Sequence, residues 1–429
     1  MGWDIDDMVK SNRTTDSAEL LPESQASEVR ERPAYHATHE AWLLEVTGLP
    51  TAAGREQRVV AWIEQWVADR PGLTLRRDAF GNLEVLRESQ AGETPIYFTA
   101  HMDHPAFVVH QVESSHRLIA EFRGGVSDSY FKDTTVLLHQ DDAPVVRGVI
   151  DDFIEPPVQQ DPVISGAPKF VAIDFGQPMD AQLGDVLTWD VGPPRIEGNR
   201  LWSPACDDLA GLVAALAAYD LAIEADSGDG DAPGTSDASD ESGGTRDIRL
   251  LFTRAEEVGF VGAIAAAQAG VIPQGARLIC LENSKTFPEA PLGAGPIVRV
   301  GDRTSTFDPA LTYAASRVAE QLKSKDDHFN WQRKLMPGGT CEASAFCAWG
   351  YTATCLCLAL HNYHNMDTEA GRIAAESIHL ADFHDLVRLL EATAATLDDQ
   401  AREGEDANLK ARLTRLFEQR RGLLTPLPG

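Results

Sequence analysis

Five short clusters of histidine and carboxylate residues mark the chain. His101-Met102-Asp103-His104 follows an apolar run at 95–100, and Arg254-Ala255-Glu256-Glu257 follows one at 248–253. Glu282 follows the run 277–281, and His361-Asn362-Tyr363-His364 follows 354–360. Asp207-Asp208 opens an Ala-rich stretch. Imidazoles and carboxylates without thiolates suit Zn²⁺, Mn²⁺ or Co²⁺ at a catalytic site. Two histidines and three carboxylates match a two-metal centre in which one carboxylate bridges. His101 and Asp103 lie two residues apart, so along an extended chain they share a face. Asp103 can then hold the second imidazole nitrogen of His101, the usual partner of a metal-bound histidine. Taken singly, most of these residues have an ordinary structural explanation. Asp207 or Asp208 suits a helix N-cap. Thr253-x-x-Glu256 fits a capping box, which leaves Glu257 unexplained. Glu282 is a strand-end acid, and His361 and His364 are loop histidines. The argument for chemistry is that all five clusters fall at strand ends or a helix start.

These side chains meet only if the apolar runs are neighbouring parallel strands, because ligands of open α/β sheets bind beyond the carboxyl ends of the strands. The runs 95–100, 248–253, 277–281 and 354–360 are short and apolar throughout, the pattern of strands buried on both faces. Helical patterns at 54–70, 207–223, 256–269, 309–323, 342–349 and 377–397 alternate with them. The alternation predicts an α/β fold, a doubly wound mixed sheet flanked by helices. Residues 106–196 show six short alternating stretches separated by Gly, Pro and Asp. They predict a small antiparallel β-domain inserted between catalytic segments at 34–105 and 197–429. Residues 1–33 lack periodicity and read as a disordered tail. Residues 224–246 hold seven acids against one arginine and read as a flexible acidic loop.

Composition removes several classes of function. Of 429 residues, 43% are hydrophobic and 24% charged, an ordinary globular balance. The net charge of −29 repels phosphate, which argues against nucleic acid and anionic membranes as partners. No apolar run reaches the ~18 residues that a membrane span needs. Six cysteines are too few for a disulfide framework at this length. With no signal-peptide pattern at the start, a cytoplasmic location is expected.

Together these motifs resemble the co-catalytic zinc aminopeptidases of the tetrahedral-shell (TET) and glutamyl aminopeptidase type, a group that also carries endoglucanase names, within the wider di-zinc exopeptidases. The resemblance runs from about Tyr35 onward. It rests on His101-Met102-Asp103, Gly184-Asp185-Val186, Cys206-Asp207-Asp208-x-x-Gly211, Thr253-x-x-Glu256-Glu257-Val258-Gly259, Gly293-x-Gly295-Pro296, Gly338-Gly339-Thr340 and His364. It implies a metallopeptidase acting on peptides, two divalent ions (zinc first, cobalt or manganese as alternatives) and a homo-oligomer. It also implies His101 and Glu282 or His364 as terminal ligands, Asp207 as the bridge and Glu257 as a further ligand. Glu256 would be the general base and Asp103 the residue that orients His101. Two metals lower the pKa of a shared water towards ~7. Glu256 takes its proton and passes it to the leaving amine.

The chain departs from that family's pattern at Glu282 (usually Asp), His104 (usually Glu), Leu209 (usually Arg), Cys341-Glu342 after Gly-Gly-Thr, and His361-Asn362 before the last histidine cluster residue. Glu at position 282 accompanies carboxypeptidase or deacylase activity in related enzymes. The alternative within hydrolases is therefore a carboxypeptidase or N-acyl amino-acid deacylase on the same site. A non-catalytic binding protein on this fold would lack a ligand or base, and none is missing. An endoglucanase would need two carboxylates flanking a glycosidic bond without metal, which the His–carboxylate mix does not suit.

Overall fold

Eight strands build the central sheet of the computed structural model, which describes residues 33–421 apart from 93, 142–143, 156–168, 228–245 and 403–404. Their order is Thr74–Arg77, Leu83–Leu86, Ile248–Thr253, Ile96–His101, Arg277–Lys285, Thr352–Leu360, Ile297–Gly301 and Gln332–Leu335. The four adjacent strands that the apolar runs announced are mutually parallel. Antiparallel pairings join them to the outer strands on both sides, so the sheet is mixed.

Alternate strand residues separate into two layers. Phe98, Ala100, Ile279, Leu281, Leu356 and Leu358 belong to one core with the helices Gln57–Ala68, Leu209–Ser227 and Pro309–Lys325. Tyr97, Leu278, Cys280, Cys355 and Cys357 belong to the other with Val261–Ala269 and Glu342–Ala348. The two-residue spacing of Cys355 and Cys357 thus places both on one face as small apolar fillers. All six cysteines are free. The Leu209–Ser227 helix has no polar stripe, and its first three turns are buried on every side, as such a helix must be.

Between His101 and Asp207 the chain leaves the sheet and closes an antiparallel barrel. The barrel order is Ala106–Ser114, Arg117–Arg123, Lys169–Phe175, Val146–Ile154, Thr135–His139 and Val186–Trp189. Phe107, Phe122, Phe131 and Trp189 fill it, with ring centroids 4.7–5.9 Å apart. A small sheet of Arg195–Glu197, Arg200–Ser203 and Glu376–His379 sets Glu376 opposite Ser203, just ahead of Cys206.

Two element boundaries bear on the site. The helix expected over 256–269 begins only at Val261, so Glu256 and Glu257 lie in the turn before it. The helix expected from 377 begins at Leu380, because Glu376–His379 is a strand. Of the expected acidic loop 224–246, residues 224–227 complete the Leu209–Ser227 helix, and 228–245 lie outside the described residues. The tail expected over 1–33 lies outside them as well, Pro33 excepted. Among the described residues no helix is long and apolar enough to cross a membrane.

Candidate metal centre

Strand register brings the predicted residues together. His101 ends its strand beside Thr253, and Thr253 leads straight into the Glu256-Glu257 turn. Glu282 lies within its strand, not after it, in register with Cys357. The Thr352–Leu360 strand then runs into the turn that carries His364. Asp207 stands at the start of the buried Leu209–Ser227 helix. Three sets of ligand atoms each fall within 4.8 Å of one another: His101, Asp207 and Glu282; Asp207, Glu257 and His364; and His101, Glu256 and Glu257. Asp207 is common to the first two.

The spacings within these sets have a physical meaning. His101 Nε2 is 3.6 Å from Asp207 Oδ1, and His364 Nε2 is 3.6 Å from Asp207 Oδ2. His364 Nε2 is 3.4 Å from Glu257 Oε2. Hydrogen bonds would be shorter, about 2.7–3.2 Å. Two ligands placed tetrahedrally at 2.0–2.2 Å from a zinc ion are about 3.3–3.6 Å apart. The side chains therefore sit at the separation an intervening ion requires. His101 Nε2, Asp207 Oδ1, Glu257 Oε1 and Glu282 Oε2 are buried atoms without a hydrogen-bond partner. Orphaned buried polar atoms are rare and call for an explanation, and here they are four of the predicted ligands. The residues present thus fit divalent cation binding.

Electrostatics agrees. Burial raises the pKa of Glu256, of Glu257, where Asp207 adds to it, and of Glu282, where Asp207 and Glu256 add to it. Burial works the same way on Asp207, but contacts with His101 and His364 outweigh it and hold that carboxyl below its usual range. No salt bridge among the described residues joins these four acids to Lys or Arg. Carboxylates crowded out of water must share protons or find a cation.

Several partners hold the ligand-bearing segments, and sequence reasoning found few of them. Asp103, fully buried, accepts the backbone N–H of Glu256 at 2.9 Å and of Glu257 at 3.1 Å. His101 Nδ1 is oriented by the Asp103 backbone carbonyl at 3.0 Å, with the Asp103 carboxylate farther off at 3.5 Å. The expected partner residue is the same, but a different group of it does the orienting. Glu56 anchors the same turn from behind, accepting from Ala255 N at 3.1 Å and Arg254 Nε at 2.8 Å. Glu376 accepts from Cys206 N, Asp207 N and His364 N at 2.7, 3.1 and 2.8 Å. His364 Nδ1 bonds the Gly125 carbonyl at 2.7 Å, so the barrel side of the molecule orients this imidazole. Gly124 permits that approach: its φ is +138°, and an added Cβ would lie 2.6 Å from Pro105. Gly211 is needed where Asp208 folds over the helix start, since an added Cβ would meet Asp208 Oδ1 at 2.1 Å.

Residues 81–389 match the M42 glutamyl aminopeptidase family. The chain belongs to that family. It is accordingly a peptidase of a metal-dependent kind. The fold is that of the Pyrococcus horikoshii TET1 peptidase, with a TM-score of 0.64 at 22% identity over 83% of this chain and 99% of that one. It is also that of an aminopeptidase from the archaeon Desulfurococcus kamchatkensis, with a TM-score of 0.63 at 22% identity over 83% and 94% of the two chains. A Thermotoga maritima protein named endoglucanase aligns with a TM-score of 0.55 at 19% identity over 82% and 96%. No curated protein sequence matches the chain.

Within this M42 chain, two of the departures noted above have local roles. His104 contacts the Asp207 carbonyl through Nδ1 at 2.6 Å and Asn365 Oδ1 through Nε2 at 3.0 Å. Burial lowers its pKa to about 4, so it works as a neutral strut. Glu342 is buried and accepts from Thr253 Oγ1 at 2.5 Å, which occupies the hydroxyl that a capping box would have used.

Proposed function

We propose that this M42 peptidase is a two-metal aminopeptidase. His101, Asp207 and Glu282 would hold one ion, and Asp207, Glu257 and His364 the other, with Asp207 spanning both. The observation that carries the reading is the set of 3.4–3.6 Å His–carboxylate separations around orphaned ligand atoms. An all-oxygen-and-imidazole ligand set favours zinc, with cobalt and manganese as substitutes. When bound, such ions polarise the scissile carbonyl and acidify a shared water.

Glu256 serves as general base. Its Oε2 lies 3.9 Å from His101 Nε2, at the edge of the ligand set, and its carboxylate accepts no hydrogen bond from a described residue. It takes a proton from the attacking water at that carboxylate and gives it to the leaving amine. Burial raises its pKa, which brings the base closer to the working pH. Asp103 and Glu56 fix the turn that presents it. The excess of buried acids favours a substrate with a free α-ammonium group, hence an aminopeptidase acting on peptides. Six free thiols suit a reducing cytoplasm. The TET1 peptidase named above assembles into a tetrahedron or a large octahedral shell, and we propose a homo-oligomer here as well.

A peptide-library digest on zinc-loaded protein, with and without chelator, tests the reading. Sequential loss of amino-terminal residues, abolished by chelation and restored by zinc, is expected. Peptides with acetylated amino termini should survive. Cleavage that persists through chelation, or that prefers blocked termini, refutes it.

A further inference from the structure

The turn after the Thr352–Leu360 strand presses two rings together at the candidate metal centre. Asn362 and His364 both adopt left-handed backbone, with φ of +54°. Between them Tyr363 stacks its ring on the His364 imidazole, with centroids 3.8 Å apart and planes 23° apart. The Tyr363 side chain is partly buried. It contributes to the wall of a cavity of about 290 Å³ whose lining also includes Glu282 and Thr340. It lies within electrostatic reach of Asp207, Glu256, Glu257 and Glu282 together. Among the described residues its hydroxyl has no hydrogen-bond partner.

The neighbouring donors are committed. The amides of Glu256 and Glu257 go to Asp103, and those of Cys206, Asp207 and His364 go to Glu376. Thr253 Oγ1 bonds Glu342, and Asn283 Nδ2 bonds the Cys206 carbonyl and Asp208. His104 uses both ring nitrogens. His361 turns to Trp202 instead, edge-on at 5.9 Å between centroids. Arg299 lines the same cavity but registers against Cys355, two positions behind Cys357, the strand partner of Glu282, and it bonds Ser284 Oγ at 3.2 Å. The phenolic O–H of Tyr363 is left unspent beside the base and the ligands.

We propose that Tyr363 is a catalytic hydrogen-bond donor to the carbonyl oxygen of the scissile bond. The inference rests on the aminopeptidase reading and adds a residue to it. As the water oxygen bonds to the carbonyl carbon, the π pair moves onto the carbonyl oxygen and Glu256 takes the water's proton. The phenolic O–H donates to that oxyanion and keeps its own proton. When the C–N bond breaks, its pair leaves with the nitrogen, which takes the proton from Glu256, and the oxyanion's pair restores the carbonyl. A donor placed in advance at such an oxygen contributes about 10²- to 10³-fold to kcat. The stack on His364 supplies that placement.

The test compares full-length, zinc-loaded wild type with Tyr363→Phe, which removes the hydroxyl and keeps the ring on His364. The probes are a peptide substrate, the phosphinic analogue of that peptide, and the free amino acid released from it. The tetrahedral phosphinate copies the oxyanion, and the amino acid does not. Tyr363→Phe should lower kcat by about 10²- to 10³-fold with KM nearly unchanged. It should weaken binding of the phosphinic analogue by a similar factor, because that interaction belongs to the transition state. Inhibition by the free amino acid and the bound zinc should stay as in wild type. A Tyr363→Phe variant with near-wild-type kcat overturns the inference. So does one that loses zinc, or one that weakens analogue and amino acid equally, since both are marks of a packing role. If the wild type releases no amino-terminal residue from the peptide, the aminopeptidase reading falls first and the inference falls with it.

Discussion

Replacing Glu376 by glutamine should cripple one metal position and largely spare the other. Glu376 is fully buried and spends one oxygen on the Cys206 and Asp207 amides and the other on the His364 amide. A glutamine has one carbonyl oxygen. The pair of donors claims it, and the new amide group then faces the His364 N–H, donor against donor. Losing a hydrogen bond to a charged group costs about 1.5–3 kcal/mol, and an orphaned buried donor adds about 1–3 kcal/mol. The lower ends sum to about 2.5 kcal/mol, or somewhat under 10²-fold in an equilibrium constant. The cost falls on His364, whose backbone is held at φ +54°, a left-handed conformation that a non-glycine residue keeps only when its surroundings enforce it. The ion between Asp207, Glu257 and His364 should therefore bind about 10²-fold more weakly, while the His101–Asp207–Glu282 position changes far less. Calorimetric zinc titration of metal-free protein resolves the two classes. Peptidase activity of the variant should fall at limiting zinc and recover at excess. Equal weakening of both positions, or of neither, would refute the clamp.

Three further outcomes are expected. Glu256→Gln should retain metal, by elemental analysis, and lose at least ~10²-fold in turnover, the contribution of a positioned base; near-wild-type rates would remove Glu256 from that role. Asp103→Asn should turn one of its two amide contacts into a donor–donor clash, with zinc affinity or activity dropping ~10- to 100-fold as for other partners of metal ligands; an unchanged zinc isotherm and rate would count against it. Removing metal should lower the melting temperature, with ~2.7 kcal/mol lost per ion if each were at a hundredfold its Kd. The metal-free protein should then grow less stable as pH rises from about 4.5, the ordinary value for Glu256, Glu257 and Glu282, because their folded pKa values are raised and the native state binds more protons than the unfolded one. Thermal melts across pH, with and without zinc, check this; a metal-free curve that rises with pH contradicts it.

What the sequence disclosed follows from which contacts are local. Four apolar runs announced the parallel strands, because burial on both faces leaves no polar alternation to confuse the pattern. The candidate ligands were legible because His101, Glu257, Glu282 and His364 lie in or within a few residues of such a run and Asp207 opens the Ala-rich helix. The supports were not. Glu376 and Glu56 act on backbone groups 12 to 199 residues away, and nothing beside them in the chain records which amide they will meet. The Glu256-Glu257 turn was misjudged as helix for a related reason. Ala255 and Phe260 adopt left-handed backbone, with φ +52° and +58°, and neither residue type advertises that conformation. It is enforced by Glu56 and Asp103 from other parts of the fold.

That division of labour explains why four of the predicted ligands, His101, Asp207, Glu257 and Glu282, carry unpartnered buried atoms. A buried carboxylate can be satisfied by amide donors or by a cation, and donors that point at it compete with the cation. In this fold the donors near the centre are spent elsewhere. The amides of Glu256 and Glu257 go to Asp103, and those of Cys206, Asp207 and His364 go to Glu376. Asp103 and Glu376 thus hold the ligand-bearing backbone without occupying ligand atoms of Asp207, Glu257 or His364. Four of the inward-facing ligand atoms are left without hydrogen-bond partners, a state that is costly in isolation and relieved by shared protons or by a cation. On the proposed metal reading, positioning by main-chain amides would keep the centre preformed while leaving its inward-facing atoms to a cation. It also predicts that substitutions at Asp103 and Glu376 act on metal affinity before they act on the chemical step.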